Sequence, residues 1–354
     1  MLTLLALLCT AQAEDLVIDN ETVVLGGVIE YDTVLVMNSG GIVVDGSLTI
    51  KADKFILQDS CTIYGTGKGY QAANPESGGP GPGIFGSDSG GGGAHGGNGG
   101  RGIRSDGVTA DAFGGEAYGT VEQALDSGSA GGGSAAGAIG GHGGGVLIIE
   151  AAKIQLDGVV HLNGEGGSVN GGLAGGGGAG GGILLLTDEL VCSGVLNARG
   201  GPGGKSGTAI GGGGGGGVIL QYHDRPGRPC AVHVEGGAGG GTWSDGNLGT
   251  EYIGEIDFDG DGLTYAEGDC QSGIATAGPG AEEICNGIDD NCDGEVDEGD
   301  CAMDTGVDPT VPADLQWKLA GGTGWRCDSA AGGGLAGWLL LLPWIFRRRA
   351  TNRA

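Results

Sequence analysis

Apolar positions along the chain come in short runs divided by glycine. "GGGVLIIEAAKIQLDGVVHLNGEGG" (Gly143 to Gly167) is echoed by "GGGILLLTDELVCSGVLNARGG" (Gly180 to Gly201) and by "GGGVILQYHDRPGRPCAVHVEGG" (Gly215 to Gly237). An earlier copy without the leading glycines is "SLTIKADKFILQDSCTIYGTGKG" (Ser47 to Gly69). Each unit holds an apolar run, a polar break, a second short run ending near Asn or Gly, and a glycine tract. The runs are too short for helices and rich in Val, Ile and Leu, so they predict strands. Their starts at Val146, Ile183 and Val218 lie 37 and 35 residues apart, an offset that marks a repeat array. The pattern predicts a mainly β chain whose residues 14–250 form a glycine-rich parallel β-solenoid, each coil burying its apolar set against the next.

Glycine occupies 88 of 354 positions. It supplies turns with positive φ and lets neighbouring coils approach closely. The longest tracts, "GSDSGGGGAHGGNGG" and "IGGGGGGGV", fit either disordered loops or extended glycine strands lying side by side. Aligning "VCSGVLNARGG" with "PCAVHVEGG" on their glycine ends places Cys192 and Cys230 on the same position of adjacent coils. Stacked strands lie about 4.8 Å apart, within disulfide reach, so a Cys192–Cys230 bridge is predicted. The same alignment gives His161 and His233 equivalent slots two coils apart, which reads as solvent-facing strand residues rather than a metal pair.

The formal net charge is −28, which excludes nucleic acid as a partner because phosphates need Lys and Arg to release their counterions. Cations suit so acidic a chain. Residues 1–13 read as a signal peptide, with an apolar run and Ala-Gln-Ala before Glu14. That implies export, where the remaining cysteines form disulfides.

The acids concentrate in residues 251–303. From Glu251 to Asp308 there are 18 Asp and Glu and no Lys or Arg. In "DDNCDGEVDEGD", Asp289 stands first in a calcium-loop pattern, with Asn291 third, Asp293 fifth and Gly294 sixth. Glu295 stands seventh through its backbone carbonyl, Asp297 ninth and Asp300 twelfth. An EF-hand-like loop asks for oxygen donors at those places and glycine at the sixth. Upstream, "DFDGDGLTYAEGD" repeats the opening with Asp257, Asp259, Asp261 and Gly262. Its twelfth place is Gly268, flanked by Glu267 and Asp269 as alternative closing acids. Hard oxygen donors select Ca²⁺ ahead of copper or zinc. Cys270, Cys285, Cys292 and Cys301 bracket the loops and predict disulfide staples, with their pairing left open. The spacing of Cys285 and Cys292 does not match the close thiolate pairs of zinc motifs.

The run "DFDGDG…GDC…PGAEEICNGIDDNCDGEVDEGD" resembles the metal-binding module named after the bacterial surface protein MopE, found in secreted proteins of myxobacteria and relatives. The similarity covers residues about 254–301. Copper enters through that family's name, but the module has no Met, His or Trp pattern for it. After the linker 304–330, the tail 331–354 holds a glycine cluster, an apolar stretch and Arg347 to Arg349. It resembles bacterial C-terminal sorting signals of the GlyGly-CTERM and MYXO-CTERM kind, which implies transient inner-membrane anchoring and a sorting protease as partner. Asp157, Glu165 and Arg199 lack the paired-acid spacing of a polysaccharide-cleaving β-helix, so no enzymatic activity is expected. Together these features predict an exported, adhesin-like structural protein at the cell surface or released. Its partners would be divalent cations, with surface glycans or other surface proteins as adhesion targets. The competing expectations are a secreted polysaccharide-active enzyme and a copper- or zinc-scavenging protein.

Overall fold

A computed structural model describes residues 15–73, 78–121, 125–135, 137–225, 227–240 and 243–298. The expected signal peptide, linker and sorting tail, with Asp300 and Cys301, lie outside these residues.

Parallel strands stack in two connected rows. The longer row runs Leu16–Asp19, Thr22–Met37, Gly41–Leu57, Val146–Leu156, Gly182–Cys192, Val218–His223 and Thr250–Glu255. A second row branches from the first residues of Gly41–Leu57 and continues through Thr62–Tyr64, Val159–His161, Val195–Asn197 and Ala231–His233. Alternate side chains point inward: Ile50, Phe55, Leu147, Ile149, Ile154, Leu185, Leu190, Ile63, Val160 and Leu196 share one buried core. Burying each large apolar side chain stabilises the fold by about 1.5–3 kcal/mol. This is a β-solenoid in which the Val- and Ile-rich runs form the strands and the polar break turns the chain between rows.

The ladder corrects the spacing read from the sequence. Val146 and Val218 both face Gly182, and Ile183 faces Leu147, so the step is even. Lys153 accordingly meets Glu189, 36 residues on, at 2.7 Å on the outer face. The sheet also continues through Thr250–Glu255, so the solenoid extends beyond residue 250 into the start of the acidic segment.

The glycine tracts are ordered. Successive N–H groups of residues 211–217 turn to different neighbours and return to the same one at every third residue. Gly211, Gly214 and Gly217 donate to Gly204, Gly201 and Ala198. Gly212 and Gly215 donate to Gly90 and Gly93, while Gly213 and Gly216 donate to Ser244 and Asn247. That rotation is the repeat of a polyproline II helix, about three residues per turn. Here it is packed into a bundle whose backbone groups satisfy one another. Close approach, not a positive φ, requires glycine: a Cβ on Gly213 would sit 1.8 Å from the carbonyl oxygen of Gly237.

Candidate metal centre

The two acidic loops carry the same local scaffold. In the second, an Asp289 oxygen accepts from the N–H of Gly294 at 3.0 Å, Asn291 from Asp293 at 2.9 Å, and Asp293 from Glu295 at 2.9 Å. In the first, Asp257 accepts from Gly262 at 2.8 Å, Asp259 from Asp261 at 3.2 Å, and Asp261 from Leu263 at 2.7 Å. Gly262 and Gly294 adopt φ of 97° and 95°, which an L side chain rarely adopts. These turns aim the first, third and fifth side chains inward. Ligand oxygens of Asp257, Asp259 and Asp261 lie within 4.8 Å of one another.

Asp300, the expected twelfth ligand of the second loop, lies outside the described residues, while Asp297 and Glu267 make contacts other than those expected. Asp297, at the ninth place, turns away and accepts from the N–H groups of Asn286 and Gly287. The next residue faces the loop instead: one Glu298 oxygen accepts from the Asn291 amide at 2.5 Å, and its other oxygen is buried without a hydrogen bond, as is one oxygen of Asp289. In the first loop Glu267 turns back to the N–H and hydroxyl of Thr264. Asp269 is 1% exposed, and one of its oxygens has no hydrogen bond. Burial holds the Asp259 carboxyl above its usual range, with Asp261, Asp269 and Asp257 adding repulsion. Burial does the same to Asp269, with Asp224 and Asp261 adding to it.

Residues 269–298 match a family model described as "Putative metal-binding motif", Cu-binding MopE. No curated protein and no solved structure matches the chain. The motif spans Asp269 to Glu298, so it takes in the second loop with its Glu298 closure and leaves Asp257, Asp259 and Asp261 upstream. Its side-chain oxygens at the loop are carboxylates and one amide. Cys270 and Cys292 are joined by a disulfide with Cα atoms 5.5 Å apart, and Cys285 is also disulfide-bonded. These sulfurs are therefore not thiolate ligands, and the described motif residues include no His or Met. This oxygen donor set suits a hard cation and lacks the thiolate, thioether and imidazole ligands of a soft copper site.

The remaining candidates serve the solenoid. His161 and His233 flank Asn197 in one ladder, and His233 meets Glu235 at 3.0 Å. Asp157 accepts from Ser193 and Gln155, and Arg199 pairs with Glu235 at 2.8 Å. Glu165 packs over Gly67, where a Cβ would meet its carboxylate at 2.3 Å. Glu298 and Asp224 are the residues that sequence reasoning missed. Glu298 is legible as an acid beside the expected ninth place; Asp224 lies outside the acidic segment and has no local signal.

Proposed function

We propose that the protein is an exported structural protein, displayed on the cell surface or released. In this reading its glycine-rich solenoid forms a rigid stalk or adhesive body, and its C-terminal module takes up Ca²⁺. The repeated Asp-first turn supports the calcium reading: Asp289 to Gly294 and Asp257 to Gly262 are fixed by matching hydrogen bonds. Oxygen ligands of this kind suit Ca²⁺, whose sensor-class and extracellular loops bind over about 10⁻⁷ to 10⁻³ M. At about a millimolar extracellular calcium, a site with Kd of about 10⁻⁴ M or tighter is nine-tenths filled or more, and binding stabilises the folded module by mass action. The Cys192–Cys230 and Cys270–Cys292 bridges support an oxidising destination. Surface glycans or surface proteins would be the adhesion targets, and a sorting protease would act on the C-terminal tail. We assign the solenoid no catalytic role, because its candidate acids are engaged in structural contacts.

The test is calorimetric titration of the oxidised chain with Ca²⁺, Cu²⁺ and Zn²⁺, repeated for Asp289→Asn. Saturable Ca²⁺ binding that weakens in the variant is expected. Tight copper or zinc uptake without calcium binding would replace this reading with a metal scavenger.

A further inference from the structure

Asp224 belongs to the solenoid, directly after the strand Val218–His223. Its N–H lies 3.2 Å from the carbonyl oxygens of both Thr187 and Asp188 on the preceding coil. Its side chain crosses to the acidic module, where one oxygen accepts from the N–H of Tyr265 at 2.6 Å. Asp224 is 2% exposed, and its other oxygen is buried with no hydrogen bond. The neighbouring base does not neutralise it by a direct pair; Arg225 Nε instead lies 3.0 Å from Asp188.

Besides Asp188, whose charge Arg225 pairs, three carboxylates bring buried oxygens without hydrogen bonds to this junction: Asp224, Asp259 and Asp269. The Asp269 N–H bonds to the Thr264 carbonyl oxygen at 3.2 Å, and Asp224 holds the N–H of the next residue, Tyr265, so both acids are tied to the same turn of the first loop. Buried carboxylate oxygens without donors are costly, and a divalent cation would supply what the protein does not. The first loop also lacks an acid at its ninth place, which is Tyr265. Asp224 is tied to the backbone of that same residue.

We propose that the first acidic loop is a cation site completed by the solenoid. Asp257, Asp259 and Asp261 hold a Ca²⁺-class ion, Asp269 closes the site from the module, and Asp224 closes it from the body. Asp224 acts directly or through a bound water, as the ninth position of such loops often does. The ion thus fastens the module to the last coils of the solenoid. This proposal rests on the calcium reading and adds a ligand from the solenoid; Asp289→Asn tests that reading and Asp224→Asn tests this one, so the two fail separately.

The experiment compares the oxidised full chain with Asp224→Asn, Asp269→Asn and Asp289→Asn, using Ca²⁺ titration and limited proteolysis around residues 256–264. Asparagine at 224 keeps an oxygen for the Tyr265 N–H and removes the charge. The expected result is two ions in the parent, with one weakened at least tenfold by Asp224→Asn and the other by Asp289→Asn. Calcium should protect residues 256–264 in the parent and in Asp289→Asn, but much less in Asp224→Asn. Parent-like affinity for both ions in Asp224→Asn would overturn the proposal, as would a parent whose single ion is lost in Asp289→Asn. If Asp224→Asn does not fold, Asp269→Asn reads the same site from the module side, and unchanged binding there overturns the proposed closure.

Discussion

Cys192 and Cys230 are joined by a disulfide with Cα atoms 4.9 Å apart, although they do not face each other in the ladder. Val195 pairs with Ala231, so Cys230 lies beside Gly194, and the Cys192 N–H bonds to the Arg228 carbonyl. The expected equal position was wrong: Val191 pairs with Arg228, which leaves Cys230 one residue beyond the place opposite Cys192, yet the coils lie close enough for the bridge to cross diagonally. Its sequence separation is 38 residues. By the chain-entropy argument, closing a loop of that length stabilises the fold by about 4 kcal/mol. The double variant Cys192→Ala/Cys230→Ala should lose an amount of that order in urea unfolding. A loss below about 1 kcal/mol would show that the unfolded chain is already constrained there.

The glycine bundle should be intolerant of a single methyl group. A Cβ at Gly176 would sit 1.9 Å from the Gly91 carbonyl oxygen, with only backbone to move. Gly176→Ala should cost at least about 3 kcal/mol or abolish folding, at or beyond the usual range for overpacking. At Gly273 a Cβ would meet nothing within 4 Å, and Gly273→Ala should stay within about 0.5 kcal/mol of the parent. Thermal unfolding of the two variants decides this, and equal melting temperatures would refute the packed-bundle account.

His95 gives the bundle a dependence on pH. It is 1% exposed, and its Nδ1 lies 2.9 Å from the Gly180 carbonyl oxygen. Burial lowers its pKa below 6.5, outweighing the opposing contacts with Gly180, Asp126 and Gly181. The unfolded chain therefore takes up the proton first, and this contribution to stability falls as pH drops below 6.5. The expected slope is about 1.4 kcal/mol per pH unit until the folded pKa is reached. Urea unfolding at pH 7.5 and 5.5 should show that slope reduced in His95→Gln, and an unchanged slope would assign it to other groups.

Glu298, rather than Asp297, should govern affinity in the second loop. Glu298→Gln leaves a donor where a charged ligand stood and should weaken Ca²⁺ at least tenfold, about 1.4 kcal/mol. Asp297→Asn should change binding by less than about threefold, or 0.7 kcal/mol, since Asp297 caps Asn286 and Gly287. The reverse order in calorimetry would restore the ninth-position assignment.

What the sequence alone determined is local or periodic. Apolar runs recurring at a near-constant interval specify stacked strands, since inward and outward side chains must match from coil to coil. The order Asp289, Asn291, Asp293, Gly294 specifies its turn because the hydrogen bonds reach only two to five residues along the chain. Tertiary structure decided which oxygens remain unbonded. Asp297 and Glu298 are adjacent acids, and packing against residues 286–287 occupies one and leaves the other free to face the loop. Asp224 reaches the module because the chain turns at the end of a solenoid strand, a relation across 41 residues. The order of the glycine tracts is likewise collective: each N–H finds its acceptor on a different neighbouring strand, and a single tract holds too little information to name those neighbours.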